Sequence, residues 1–240
     1  MTAGYRTSHA AERYGATYNQ VYQRGYYAAQ WRDVEERLLD DTFARLGGPD
    51  VSCMDFACGT GRITGVAVRH FGKVVGVDVS TAMLVEARKS VDTQFVQQDL
   101  TRTPLDEAFD VALAFRFFLN AEHSLRQEAL RAIRRQLRPG GALVCNIHMS
   151  ATAPMGWAYG LKRAVTGNAH KTMSEAAFVT LLNEEGFSVE SITGYSFMPR
   201  PGPLLPGLAG AMVAPVEKLA KGLHLPRSLA QCFLVVARKA

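Results

Sequence analysis

Short apolar runs alternate with amphipathic segments along most of the chain. Each run is rich in Val, Ile, Leu or Phe, and the segment after it has apolar residues at helical spacing. Strands are predicted over residues 51–56, 73–77, 93–96, 109–114 and 142–147, and helices are predicted to begin near Gly61, at Ser80 and near Ser124. This alternation is typical of an α/β protein, in which a mostly parallel sheet carries helices on both faces.

The N-terminal region and the segment after the fifth predicted strand depart from this alternation. Residues 18–46 have helical spacing and end at Gly47-Gly48-Pro49, which predicts a helix ahead of the first strand. Residues 150–171 are rich in Gly, Ala and Thr and are expected to be irregular.

The C-terminal region predicts a different strand arrangement. A helix is expected over 174–185, and it is followed by two late strands over 188–196 and 231–238. A proline-rich apolar insertion, 199–226, separates these strands. Two late strands with a long excursion between them indicate an antiparallel hairpin at the edge of the sheet.

The composition is that of an ordinary globular protein. The 240 residues are 48% hydrophobic and 20% charged, with a net charge of +5. Nucleic-acid binding is not expected, because no run of Lys and Arg interleaves with aromatic residues. No apolar stretch reaches the roughly 20 residues that span a bilayer, and no secretory leader pattern is seen, so a cytoplasmic location is expected. The four cysteines lack metal-site spacing, which favours buried reduced thiols and no metal.

A small-residue loop after the first predicted strand is the strongest functional signal. It runs Asp55-Phe56-Ala57-Cys58-Gly59-Thr60-Gly61, and glycine there lets a ligand approach the backbone closely. Asp78 and Asp99 end the next two predicted strands. Three carboxylates at one edge of one sheet, beside a glycine turn, indicate a ligand that contains a nucleoside.

These motifs resemble those of the class I S-adenosylmethionine-dependent methyltransferases, particularly the UbiE-like and "methyltransferase domain" groups. Ala57 stands where the family has its first loop glycine, and Leu137-Arg138-Pro139-Gly140-Gly141 precedes the fifth strand as it does in the family. The resemblance covers residues 18–147 by motif and the rest by the order of elements. It implies a Rossmann-like, seven-stranded sheet in a single domain, 1–240. Its expected parts are an N-terminal helical lid (1–46), a cofactor-binding core (47–149) and two acceptor-side insertions (150–172 and 199–228).

The resemblance also implies how S-adenosylmethionine would be held. Asp55 would offset the amino group, Asp78 would accept hydrogen bonds from the ribose hydroxyls, and Asp99 would accept one from the adenine amine. Backbone N–H groups of Gly59 to Gly61 would hold the carboxylate. The other expected cofactor contacts are Ala57, Cys58, Val79, Met83, Leu100 and Phe115. Tyr18 and Tyr22 share a helix face, which either packs on the sheet or covers the cofactor as a lid.

The acceptor is expected to be a small molecule, apolar or amphiphilic, whose attacking atom is left open. His148 follows the fifth strand and is the candidate general base; closing the strand as a polar residue is the alternative. Arg116, Asn120 and His123 follow the fourth strand and are candidate acceptor contacts. Trp157 and Tyr159 are expected to border the same site.

Two other functions and one further type of contact remain open beside methyl transfer. In a nicotinamide oxidoreductase, Thr64 would replace the third glycine, Asp55 would face a pyrophosphate, and Asp99 would have no role. A non-catalytic module that binds S-adenosylmethionine would keep the pocket without the reaction. Basic residues at 218–227 leave peripheral membrane contact open, although a solvated surface is favoured because prolines break the segment. The sequence leaves the oligomeric state open.

Overall fold

A seven-stranded sheet organises the chain in the computed structural model, which describes residues 24–167, 170–199 and 206–240 (the side chains of 206–208 excepted). The strands are β1 (Gly48–Phe56), β2 (Phe71–Asp78), β3 (Gln94–Gln97), β4 (Phe109–Ala114), β5 (Leu137–Ile147), β6 (Phe187–Tyr195) and β7 (Cys232–Lys239). Their order across the sheet is β3-β2-β1-β4-β5-β7-β6. The first five strands are parallel, and β7 lies antiparallel between β5 and β6. The predicted fold class, with its antiparallel C-terminal strands, is confirmed.

Helices cover both faces of this sheet. The first, α1, is composite: it is α-helical over Gly25–Gln30, π-helical over Trp31–Glu35 and α-helical again over Glu36–Leu46. The others are α2 (Arg62–Ala67), α3 (Thr81–Ser90), α4 (His123–Gln136), α5 (Pro154–Thr166), α6 (Glu175–Glu184) and α7 (Pro206–Gly222), with a short 3-10 turn at Arg227–Leu229. None of the helices within these described ranges is long and apolar enough to cross a membrane.

Alternating side chains along the strands supply two separate cores. Met54 of β1 packs with α4 and α6 on one face of the sheet, for example against Leu130 and Phe178. Its neighbour Cys53 points to the other face, where it packs with α1 and α2. Because successive strand residues point to opposite faces, a strand buried on both sides must be apolar throughout. That requirement explains the continuous apolar runs in the sequence.

One sequence expectation is wrong. Residues 150–171 were expected to be irregular because of their Gly and Thr content, yet α5 occupies 154–166. Pro154 stands at the start of the helix, where proline is tolerated, and Gly167 ends it with φ +72°. Ala, Leu, Lys and Arg between them favour the helix enough to outweigh the two internal glycines.

Candidate functional site

A cavity of about 350 Å³ opens at the carboxyl ends of β1 to β5. Most of the residues predicted from the sequence line it: Asp55, Ala57, Cys58, Gly59, Asp78, Val79, Met83, Asp99, Leu100, Phe115, Arg116, Asn120 and His148. The strand order places Asp99, Asp78 and Asp55 on successive strand ends, and the segments after β4 and β5 then carry the wall on to Arg116 and His148. The cavity thus spans the point where the strand order reverses, which is the usual ligand position in such sheets.

The loop after β1 is held in a left-handed conformation. Ala57, Gly59 and Gly61 have φ values of 54°, 58° and 78°. A Cβ built on Gly59 would have nothing within 4 Å, so the space above this residue is open to a ligand. Gly61 does not line the cavity; it caps the N-terminus of α2 instead.

Two backbone amides of this loop are already used within the protein. The Gly59 N–H donates to Asp78 Oδ2 at 2.8 Å, and the Gly61 N–H donates to the Cys58 carbonyl at 3.1 Å. That backbone N–H groups of Gly59 to Gly61 hold a ligand carboxylate stays a prediction; in this structure the amides of Gly59 and Gly61 donate within the protein.

Asp78 joins the glycine loop to the next turn. Its second oxygen, Oδ1, accepts the Ser80 N–H at 2.8 Å. Ser80 in turn caps α3, because its Oγ accepts the Met83 N–H at 3.3 Å. The carboxylate at the end of β2 is thus fixed in position by two backbone donors from different loops.

Asp55 is buried, with only 1% of its surface exposed. Thr64 Oγ1 donates to its Oδ2 at 2.6 Å. Burial, aided by the nearby charge of Asp78, raises the pKa of Asp55 to about 7. The side chain is consequently divided between its protonated and ionised forms near neutral pH, and a cation in the cavity would favour the ionised form.

Asp99 organises the turn after β3. Its Oδ1 accepts both the N–H and the hydroxyl of Thr101, at 3.0 and 2.6 Å. Its Oδ2 lies 3.5 Å from Nε of Arg102, an ion pair with a largely exposed partner. Asp99 and Leu100 both line the cavity beside Met83.

A buried polar network lies behind the side of the cavity that the segments after β4 and β5 form. Glu35 of α1 accepts hydrogen bonds from Arg116 Nη2 at 3.1 Å and from the Tyr195 hydroxyl at 3.1 Å. Asn146 donates to both Glu35 Oε1 and Tyr195 Oη, at 3.3 and 2.8 Å, and its own carbonyl accepts the Arg116 N–H at 2.8 Å. Burial alone would raise the pKa of Glu35, but the guanidiniums of Arg116 and Arg62 outweigh it and the pKa lies below its usual value.

Arg62 and Arg116 bring positive charge to the cavity wall. Arg116 has a left-handed backbone, φ 56°, directly after β4, and its side chain is 13% exposed. The Arg62 guanidinium lies over the Trp31 ring, 4.4 Å from its centroid. Tyr27 of α1 completes this part of the wall.

Sequence reasoning missed Tyr27, Arg62 and Glu35. One signal was available for Glu35, which lies four residues from both Trp31 and Leu39. It therefore occupies the apolar face of the helix, where an acidic residue needs a buried partner. The partner could not be named from the sequence, because Arg116 is 81 residues away.

Some predicted site residues lie elsewhere. His123 is exposed at the start of α4, and neither Trp157 nor Tyr159 lines the cavity. Trp157 is 63% exposed, while Tyr159 stacks on His170 with ring centroids 4.2 Å apart. Tyr18 and Tyr22 fall outside the described residues.

The comparisons with known proteins agree with this geometry. The sequence model of the family described as "Methyltransferase domain" matches residues 53–141. Residues 53–141 form a methyltransferase domain of class I. The resemblance drawn from the motifs is confirmed, and the match includes the glycine loop, Asp78, Asp99 and Arg116 of this methyltransferase domain.

Similar proteins extend the likeness beyond the methyltransferase domain. A demethylmenaquinone methyltransferase from Symbiobacterium thermophilum is 33% identical over 145 residues, 56% of this chain and 54% of that protein. The chain thus spans about half the length of this curated relative. The magnesium protoporphyrin IX methyltransferase of Synechocystis, solved with bound S-adenosylmethionine, has a TM-score of 0.64 at 15% identity over the full length of both chains. The cyclase SpnF has a TM-score of 0.61 at 20% identity, with 99% of each chain covered. At these identities the structural likeness concerns the fold alone.

Proposed function

We propose that this protein transfers a methyl group from S-adenosylmethionine to a small-molecule acceptor. The observation that carries the proposal is the convergence of Asp55, Asp78 and Asp99 on one cavity beside an open glycine loop. An ammonium, a ribose diol and an adenine amine each present hydrogen-bond donors, and three carboxylates at successive strand ends are matched to accept them.

The order of the cavity residues across the sheet, from β3 to β1, matches the order of the adenine, ribose and amino acid parts of the cofactor. Asp99 and Leu100 would hold the adenine, with Val79 and Met83 as apolar walls. Asp78 would accept hydrogen bonds from the ribose while it keeps the Gly59 N–H in place. Asp55 would face the amino group, where a positive charge returns its carboxyl to the ionised form.

The arginines supply what the glycine loop lacks. Since the Gly59 and Gly61 amides are occupied, the cofactor carboxylate would be held by the guanidinium of Arg62 or Arg116. Arg62 and Arg116 both bring positive charge to this wall, which favours an anionic group there.

The acceptor side follows from the same strand order. When bound, the cofactor supplies an electrophilic methyl group on a sulfonium, so the protein has mainly to align the acceptor. Asn120, Phe117 and His148 line the end of the cavity beyond β4 and would border the acceptor. His148 would accept the proton of an acceptor hydroxyl or amine; an acceptor that is already a nucleophile needs no base. No group of three or more His, Cys, Asp or Glu side chains in the described part of the chain is arranged to hold a metal ion.

Known relatives support a small-molecule acceptor. The similar protein from Symbiobacterium thermophilum is named for a quinone, demethylmenaquinone, and the structural neighbour from Synechocystis for a porphyrin. Both names describe extended, largely apolar molecules. An acceptor of that character agrees with a cavity that is lined by Phe117 and Leu125 on the acceptor side.

Calorimetry and a transfer assay test the proposal together. S-adenosylmethionine and S-adenosylhomocysteine are expected to bind to the purified chain, NAD is expected not to bind, and tritiated methyl groups should appear in a metabolite from an extract screen. Binding of NAD with no response to the other two ligands would overturn the assignment. Binding of S-adenosylmethionine without transfer to any extract would favour the non-catalytic alternative, or a fold used for another reaction as in the cyclase SpnF.

The role of Tyr18 and Tyr22 as a lid stays a proposal of the same kind. A chain that begins at residue 24 keeps Tyr27 and Trp31 and lacks both tyrosines. If the segment covers the cofactor, this truncation should weaken S-adenosylmethionine binding roughly tenfold or more, since closing segments add contacts and exclude water. The single changes Tyr18→Phe and Tyr22→Phe are the matched controls, because they keep the aromatic surface.

A further inference from the structure

The described residues 150–167 and 170–173 belong to an arm whose two ends meet on the body of the protein. At its base, Ser150 pairs with Met173 in a β-bridge, the Ala151 N–H donates to the Met173 carbonyl at 3.0 Å, and the Met173 N–H donates to the Met149 carbonyl at 3.2 Å. The helix α5 lies within this arm, between Pro154 and Thr166.

Only one side of α5 contacts the body. Gly156 is its single buried residue, and a Cβ there would lie 2.2 Å from the Ser150 carbonyl oxygen. Met155 and Tyr159 are partly buried against the core. These three positions fall on one side of the helix, since residues three and four apart are neighbours on its surface.

The opposite side of α5 is apolar and faces solvent. Trp157, Leu161 and Val165 are 63%, 69% and 77% exposed. They are four residues apart, so they form one stripe, roughly opposite the side that packs on the body. An amphipathic helix of a soluble protein normally turns its apolar side inward. This helix turns it outward.

The charges on the arm all have one sign. Residues 150–173 include Lys162, Arg163 and Lys171 and contain no Asp or Glu. Among the described residues, no carboxylate forms an ion pair with Lys162 or Arg163, both of which are exposed. A tryptophan-containing apolar stripe with a lysine at its edge, on an arm that is basic overall, is typical of helices that lie in the interface of an anionic membrane.

We propose that α5 is a membrane-docking helix that seats the protein on an anionic lipid surface. The stripe of Trp157, Leu161 and Val165 enters the headgroup region, and Lys162, at the edge of this stripe, contacts lipid phosphates. The arm also touches the cavity wall, because the Lys171 ammonium donates to the carbonyl of Asn120. The lipid surface therefore lies beside the acceptor end of the cavity. This inference goes beyond the proposed reaction and is tested without it.

The charges favour lipid over a second copy of the chain as the occupant, and α5 over the end of α7 as the lipid contact. A second copy meeting the stripe about a two-fold axis would bring Lys162 towards its own equivalent with no acidic residue on the arm to balance it. The basic residues near the end of α7 are weaker lipid ligands, because Lys221 pairs with Glu217 and Arg227 pairs with Glu175.

Vesicle flotation tests the surface directly. The full chain should float with vesicles in which about one third of the lipid is phosphatidylglycerol, and much less with phosphatidylcholine alone or at high salt. The change Lys162→Glu should weaken binding roughly tenfold, since it replaces a basic residue by an acidic one and each charge near an anionic surface contributes about 1 kcal/mol. The triple change Trp157→Ser/Leu161→Ser/Val165→Ser should abolish flotation. The matched control, Val68→Ser/Val85→Ser, removes exposed apolar residues from α3 and the end of α2 and should float normally.

Fluorescence locates the contact. The chain has two tryptophans, so Trp31→Phe leaves Trp157 as the single reporter. Its emission should shift to the blue and be quenched by brominated lipid when anionic vesicles are added. An unshifted, unquenched spectrum would overturn the proposal. So would a dimer in light scattering that the triple change converts to monomer while flotation is absent, because the stripe would then be a contact between copies.

Discussion

The two walls of the cavity are held in place by different means. On the side of β1 to β3, each carboxylate is fixed by donors a few residues away or on the adjacent strand end: Thr101 for Asp99, Ser80 and Gly59 for Asp78, Thr64 for Asp55. On the side of β4 and β5, Arg116 is fixed by Glu35 and Asn146, which lie 81 and 30 residues away.

Because of this difference, the first wall contributes mainly to ligand binding and the second mainly to the stability of the fold. The first wall is a set of local turns, each of which can be altered with consequences for the ligand. The second wall is a buried charge network that joins α1, β4, β5 and β6, so its alteration affects the stability of the whole chain. Substitutions in the second wall should therefore lower stability most, whereas substitutions in the first wall should act mainly on ligand binding and change stability less.

The largest effect is expected for Glu35→Gln. The change leaves the Arg116 guanidinium, with only 13% of its side chain exposed, without its carboxylate, and removing one partner of a buried pair costs about 3–5 kcal/mol of unfolding free energy. Urea unfolding measures this. Asp41→Asn is the control on the same helix, because Asp41 is exposed and its replacement should change the unfolding free energy little. A loss below about 1 kcal/mol would mean that Arg116 finds another partner and that the network is not a unit.

Asp78→Ala should be the largest change on the first wall. It removes a carboxylate that is proposed to accept hydrogen bonds from the ribose and that holds the Gly59 and Ser80 amides. Charge-assisted hydrogen bonds contribute about 1.5–3 kcal/mol each, so affinity for S-adenosylhomocysteine should fall roughly 100-fold in calorimetry. The exposed Asp92→Asn variant should bind as the native chain does. Equal affinity of all three proteins would contradict the assigned role of Asp78.

Asp55→Asn should reveal a pH-dependent contribution. In the folded protein the pKa of Asp55 is about 7, above its unfolded value, so the folded state holds a proton that the unfolded chain releases. The stability of the native chain relative to the Asn variant is therefore greatest at low pH and falls as pH rises towards 7, by about 2 kcal/mol between pH 5 and 7. Urea unfolding of both proteins across this range measures the difference. A constant difference would show that Asp55 does not titrate there.

The same group should also report on the ligand. If the cofactor amino group lies against Asp55, binding at pH 7 should release part of a proton, because a nearby cation favours the ionised carboxylate. Calorimetry in two buffers of different ionisation enthalpy detects the release, and the Asn variant should show none.

The smallest effect is expected for Ala57→Gly. Ala57 has φ 54°, a backbone region that costs a residue with a Cβ about 1–2 kcal/mol. Glycine would relieve this strain, but part of the stability gained is lost because glycine has more conformational freedom in the unfolded chain. Unfolding free energy should rise by about 1 kcal/mol or less, with ligand affinity little changed. Ala57→Val, which is bulkier and β-branched at the same φ, should lower stability. If Ala57→Gly lowered the unfolding free energy, the positive φ of Ala57 would not be a source of strain.

The site residues that could be predicted from the sequence lie mostly on the first wall, and those that could not lie on the second. Asp55, Asp78 and Asp99 could be placed on one cavity because strand ends of a parallel sheet meet at one edge, and strand ends are read from local apolar patterns. The network of Glu35, Arg116 and Asn146 depends on which distant side chains meet in the core, and no local pattern encodes that. The outward stripe of α5 was missed for another reason: its glycines obscured the helix, and a helical pattern alone does not say which face turns to the body.

The π-helical turn in α1 has a consequence for insertions and deletions. The Glu36 N–H donates to the Trp31 carbonyl, five residues back, so this turn holds one residue more than an α-helical turn. Deleting one residue from this turn would leave a regular α-helical turn, because the wider turn already absorbs the extra residue, and the helix before it would keep its direction. A one-residue deletion in the α-helical part at Gly25–Gln30 would instead rotate everything before it by about 100°. The π-helical turn thus lets α1 carry one extra residue while Tyr27 stays on the cavity and Trp31 stays against Arg62.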